Sequence, residues 1–221
     1  MTSESLARPS IARRTTDLGR VRLVDRSALD QFIIGLLILF LLVYASELMI
    51  LVPCGSFAAL SSCDLPSASK DFWSTYFVID PLFAEMPPYY VAIMSIQDYL
   101  YNPWWAVCLV MFWTNRQDTP WLASITLIVT GMIVATSSVI VGVQLQHPHY
   151  TATVMSALLM INGPWIAGPL LVSWRLRHGR ESVVAGPSRS TGAGAARACI
   201  LVALPLLIYT MLSLASIEIA G

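Results

Sequence analysis

Five long apolar runs dominate the chain, at residues 32–52, 88–113, 121–143, 151–174 and 198–217. Each meets the requirement of about 20 mostly apolar residues for crossing the hydrocarbon core of a bilayer. Backbone groups in lipid must be satisfied within their own segment, so each run is expected to be a helix. Before the first run, residues 1–31 are polar and Arg-rich. A cleavable signal would instead open with a short apolar core and a small-residue cleavage site, so none is expected here. The chain carries no internal repeat of useful strength.

Composition turns this pattern into a class. Of 221 residues 56% are hydrophobic and only 12% charged, and the mean hydropathy is +0.67. A soluble domain carries about 25% charged residues. The fold class expected is therefore all-α: a polytopic membrane helix bundle with five transmembrane helices. No nucleic-acid module and no long acidic tail is present.

Net charge is zero, but its distribution is informative. Arg8, Arg13, Arg14, Arg20, Arg22 and Arg26 precede the first run, and Arg116 lies between the second and third. Arg175, Arg177, Arg180, Arg189 and Arg197 lie between the fourth and fifth. Alternating spans place all three segments on one side and leave only Lys70 on the other. By the bias of basic residues toward the cytosol, the N-terminus is cytosolic and the C-terminus lumenal or extracellular. Residues 177–197 are rich in Gly, Ser, Ala and Arg, and read as a flexible cytosolic loop able to touch anionic lipid. Cys54 and Cys63 fall in the long non-cytosolic connection, where a disulfide can form; two free thiols are the alternative. Cys108 and Cys199 lie in or beside spans and read as packing residues.

The polar residues inside the spans carry the candidate chemistry. Glu47 lies late in the first run and Asp98 near the middle of the second. Asn102 follows Asp98 by four residues, one helical turn on the same face. Pro103 then removes a backbone donor and can kink the helix. In the third run Thr130, Gly131, Thr136, Ser137, Ser138 and Gly142 read as close helix packing. In the fourth, Pro164 and Pro169 read as kinks beside Asn162 and Trp165. An ionisable residue at mid-membrane is a functional candidate by default, and its alternative is a satisfied structural hydrogen bond with Asn102 or Asn162. Two acids sharing a dry cavity disfavour double ionisation, so one can hold a proton while the other stays ionised. That pairing suits protonation of an alkene and loss of a proton elsewhere, with an aromatic face such as Trp165 beside the cation. Ion conduction and proton-coupled transport also use such acids, although the inverted repeat expected of a transporter is not visible.

The stretch Asp80-Pro81-Leu82, Glu85, Pro87-Pro88, Tyr89-Tyr90, Asp98, Asn102 and Pro103-Trp104-Trp105 resembles the EXPERA family, which includes a sterol isomerase and the sigma-2 receptor. Its spacing is closest to the sigma-2 receptor branch. Glu47 resembles the acid that members place on the preceding helix. Asn162 and Trp165 resemble the Asn-x-x-Trp that lines the isomerase's sterol pocket. Where the isomerase has a His one turn before the first acid, this chain has Val43, with Tyr44 beside it. The resemblance implies a four-helix core at residues 32–176 around a cavity open to lipid, followed by a further C-terminal helix at residues 198–221. It implies Glu47 and Asp98 as facing catalytic acids, with Tyr101, Asn102, Asn162 and Trp165 as substrate-binding residues. Asp80 and Pro103 would be structural. The implied setting is the endoplasmic reticulum membrane, often as a homodimer. The leading expectation is an isomerase-like or cyclase-like enzyme acting on a sterol or other isoprenoid. The alternative is a non-catalytic sterol- or amphiphile-binding protein of sigma-2 receptor type. No cofactor and no metal is expected: none of the three His residues lies in a span, and His147 and His149 read as ordinary loop residues.

Overall fold

The computed structural model describes residue 23, residues 26–178 and residues 192–220. The polar N-terminal segment, up to residue 22, and most of the basic loop lie outside these residues. Both ends of that loop are helical, since Arg177 and His178 finish one helix and Gly192 to Arg197 begin the next.

Every regular element among the described residues is helical. Helix α1 (Ala28–Cys54) opens on Ser27, whose hydroxyl accepts from the Asp30 N–H at 3.0 Å. Asp30 also places negative charge in the first turn, where the helix dipole favours it. The helix ends at Gly55, whose φ of 76° is the left-handed cap conformation that glycine adopts without a Cβ penalty. A disulfide joins Cys54 to Cys63 just beyond that cap. The connection that follows is not irregular throughout: it holds a 3-10 turn (Phe57–Ala59) and the 13-residue helix α2 (Ser67–Ile79). Helix α3 (Pro81–Glu85) leads into α4 (Pro88–Ile96), a π-turn (Gln97–Tyr101) and α5 (Asn102–Trp113). Helix α6 (Pro120–Gln144) runs without a break. The fourth apolar run divides into α7 (Ala152–Asn162) and α8 (Pro164–His178) at Gly163. Pro164, which has no N–H to lose, opens the second piece. The last helix is α9 (Gly192–Ala220).

Four of these stretches are long and apolar enough to cross a membrane: α1, α6, α7 with α8, and α9. The second expected span is instead built from segments of 9, 5 and 12 residues that run on without a gap.

One end of the bundle is tied together by charge. The Arg175 guanidinium, at the end of α8, donates from Nε to Asp30 Oδ1 at 2.7 Å and from Nη2 to Asp30 Oδ2 at 3.0 Å. It also donates to Asp118 Oδ1 at 3.3 Å, and Gln117 Nε2 donates to Asp30 Oδ2 at 3.4 Å. Arg26 donates to the Phe112 and Trp113 carbonyls at the C-terminus of α5. There its positive charge complements the negative end of the helix dipole. These bonds bring the start of α1, the α5–α6 connection and the end of α8 to one end of the bundle. They are the same three places that the basic residues mark in the sequence.

Helix α9 packs mainly on α1 and α7. The α1 crossing depends on Gly35: a Cβ there would run into the Val202 backbone carbonyl. Backbone cannot move aside as a flexible side chain can, so Gly35→Ala is expected to lift α9 from α1. A loss on the scale of overpacking, about 1–3 kcal/mol, should appear as a lower thermal unfolding midpoint in detergent. Gly168 plays the matching part on α8, where a Cβ would lie 2.5 Å from the Phe40 ring. The glycines of α6 do not. Nothing lies within 4 Å of a Cβ built at Gly131 or Gly142, so the close-packing expectation is corrected for both. Among the polar residues of α6, Thr130 does pack, its hydroxyl lying 2.7 Å from Ser173 Oγ on α8. Helix α6 packs on α8 along its other face, which leaves both glycines open.

Candidate functional site

A partly open cavity of about 180 Å³ lies among the helices, and α1 to α9 and the π-turn all contribute to its lining. Apolar and aromatic side chains make most of its surface. Phe40, Trp73, Phe83 and Trp165 are prominent, and the polar exceptions include Glu47, Tyr76, Gln97, Asn102, Gln144 and Asn162.

Among the described residues Glu47 is the one carboxylate in this lining, and it is 5% exposed. Its Oε2 accepts from Gln97 Nε2 at 3.5 Å, a long bond. Asn162 Nδ2 donates to the Tyr76 hydroxyl at 3.3 Å, which ties α7 to α2 at the cavity wall. The Trp165 ring lies 4.7 Å from Phe40 and 5.8 Å from Tyr209 of α9. Of the residues expected to bind a ligand, Asn102, Asn162 and Trp165 line the cavity together with Glu47. Tyr101 does not. It is buried in the neighbouring core, with its hydroxyl 3.5 Å from Thr136 Oγ1.

Asp98 is also absent from the lining, and the π-turn explains why. The Asn102 N–H donates to the Gln97 carbonyl, five residues back rather than four. In a regular α-helix Asn102 would share its face with Asp98. The wider turn makes Gln97 its companion in the cavity and turns Asp98 aside. Asp98 remains half-buried, accepts from Asn102 Nδ2 at 3.4 Å, and stays within electrostatic reach of Glu47. In the cavity lining it is Gln97, rather than Asp98, that meets Glu47.

Pro103 accounts for the π-turn's remaining backbone group. The Asp98 carbonyl would take its bond from residue 102 or 103, but Asn102 is committed to Gln97 and Pro103 has no N–H. The Tyr44 hydroxyl on α1 supplies the missing donor at 3.2 Å. Tyr44→Phe should leave that carbonyl unpaired and lower stability by about 1–3 kcal/mol. A shift of the thermal midpoint larger than that of an exposed Tyr99→Phe control checks it.

Asp80 lies outside the spans, at the end opposite the Arg175 cluster, in a network of hydrogen bonds. It caps α3, accepting from the Phe83 N–H at 3.4 Å. It also accepts from the hydroxyls of Tyr150 at 2.6 Å and Tyr90 at 3.3 Å, and from Gln144 Nε2 at 3.3 Å. Burial pushes its carboxyl above the usual range, while these four bonds, Tyr150 foremost, pull the other way. Tyr90 and Gln144 present their other faces to the cavity, so Asp80 fixes part of its wall without entering it.

The residues that sequence reasoning did not single out are Tyr76, Gln97, Gln144 and Tyr209. Gln97 and Gln144 are uncharged amides in or beside apolar runs, which was the available signal. Tyr76 and Tyr209 carried none, because a tyrosine among apolar residues is ordinary. Among the described residues no group of three or more His, Cys, Asp or Glu side chains could hold a metal ion. The arrangement offers one carboxyl, several amides and hydroxyls, and aromatic faces in a mainly apolar cavity. Set against family models, characterised proteins and solved structures, the chain matches none of them.

Proposed function

We propose that this integral membrane protein holds a sterol or other isoprenoid in the cavity and shifts one of its double bonds, or closes a ring through the same cation. The carrying observation is Glu47, a buried carboxyl set in a mainly apolar and aromatic cavity. In the proposed step the Glu47 carboxyl gives its proton to one alkene carbon. The π pair forms the new C–H bond and leaves a cation on the adjacent carbon. The Glu47 carboxylate and the Trp165 face stabilise that cation. Loss of a proton from the next carbon to the Glu47 carboxylate restores an alkene at the shifted position and regenerates the acid. No oxidant or reductant is needed. Asp98 assists from outside the lining through Asn102.

The reading includes five spans, with α4, the π-turn and α5 as the second, and a cytosolic end marked by Arg26, Arg116 and Arg175. The EXPERA-like motifs support it. A second reading, a binding protein without turnover, is favoured by one observation: an amide, Gln97, meets Glu47 where a second acid would serve proton transfer best.

Deuterium incorporation separates the two. Membranes containing the protein are incubated in D2O with unsaturated sterols and isoprenoid alcohols. The enzyme reading expects an isomer carrying one new C–D bond, lost in Glu47→Gln. Ligand retention by the wild-type protein, with no isomer from any of these lipids, overturns it in favour of binding alone.

A further inference from the structure

Among the described residues of α9, Tyr209 alone lines the cavity. Its neighbours Leu206, Leu207 and Ile208 are exposed on the outer surface. Tyr209 lies seven residues after Val202, and that spacing puts both on one face of the helix. The Gly35–Val202 crossing, which brings the two backbones unusually close, therefore also drives Tyr209 inward. Its ring meets Trp165 edge to face at 5.8 Å and packs against both hydrophobic clusters, the one around Phe40 and the one around Phe83. It also sits within electrostatic reach of Glu47. On the α9 side, a single aromatic ring thus completes the wall where the acid and Trp165 meet.

We infer that Tyr209 is a specificity-determining residue of the cavity, its ring limiting the bulk a ligand can carry at the Glu47–Trp165 end. This rests on the reading of the cavity as a lipid site, and two measurements keep the two ideas apart. The first needs no ligand. A Glu47→Cys reporter is placed in full-length protein that also carries Cys199→Ser, which removes the exposed thiol; Cys108 is buried and Cys54 and Cys63 are bonded to each other. In native membranes, labelling of the reporter by N-ethylmaleimide should rise roughly tenfold or more with Tyr209→Ala, the scale on which an apolar pocket discriminates by a small group. Tyr209→Leu, which fills the gap in part and protects the fold, should give an intermediate rise. Tyr209→Phe and the outward-facing Leu207→Ala should give none. An unchanged rate in both Tyr209→Ala and Tyr209→Leu overturns the proposal, as does an equal rise in Leu207→Ala.

The second measurement uses photoreactive cholesterol and its side-chain-ethylated homologue. The ratio of bulky to smaller sterol captured should increase in Tyr209→Leu and not in Tyr209→Phe. An unchanged ratio, with both sterols bound, overturns the proposal. If the wild type captures neither sterol while the maleimide rates follow the expected order, the lipid reading fails and Tyr209 stands as the ring that limits access.

Discussion

Glu47→Gln should reduce turnover of an isoprenoid substrate by about 10²- to 10⁴-fold, the range that general acid–base catalysis contributes. The substitution keeps the shape of the side chain and an oxygen for the Gln97 amide to bond, but it removes the proton that can be given away. Stability should not fall, because a buried carboxyl held, among the described residues, by one long bond of 3.5 Å from Gln97 gives way to a neutral amide. Asp98→Asn makes the informative contrast. Asp98 is outside the cavity lining and acts through Asn102, so its loss should cost much less, about tenfold, as a second-layer partner does. Turnover and thermal midpoints measured on both variants test this ordering. Equal losses would show that Asp98 reaches the substrate, and that the π-turn must then rearrange to admit it. Unchanged turnover in Glu47→Gln would remove the acid from the mechanism altogether.

The largest effect on stability is expected at the other end of the molecule. Arg175→Met leaves Asp30 buried at 2% exposure without its bidentate partner. Removing one member of a buried ion pair costs about 3–5 kcal/mol, because the remaining charge stays desolvated. The pair holds the beginning of α1 against the end of α8, two elements separated by most of the chain. The variant should therefore unfold at a clearly lower temperature, with little change in the shape of the distant cavity. Replacing both residues, Asp30→Leu with Arg175→Met, should recover most of the loss, since neither charge then needs compensation. A double-mutant cycle on unfolding midpoints measures the coupling. A double variant as unstable as Arg175→Met alone would mean that packing, rather than the uncompensated charge, sets the cost.

The membrane character of this protein was legible in the sequence because a bilayer imposes a one-dimensional requirement. A segment must be apolar for about 20 residues whatever it packs against. Four such helices could be anticipated from apolar length alone. The Cys54–Cys63 bond was one of two open alternatives, and a cavity shared by Glu47, Asn102, Asn162 and Trp165 was implied by the family resemblance rather than by their spacing. The grouping of arginines between the apolar runs was legible. Their partners were not, since nothing local in either segment links Arg175 to Asp30, 145 positions away.

The rest depended on three-dimensional register. A regular helix puts Asp98 and Asn102 on one face. A π-turn made by five residues, its stranded Asp98 carbonyl held by Tyr44, exchanges Asp98 for Gln97. One residue of winding is about 100° of rotation, enough to move a carboxylate out of a cavity while leaving its sequence spacing unchanged. The depth of α9 was likewise decided by the absence of one methyl group at Gly35, and that depth puts Tyr209 in the wall. Apolar runs record which solvent a helix meets. Which side chain faces which is set by rotation and close approach between helices far apart in the chain, and those quantities exist only once the bundle has packed.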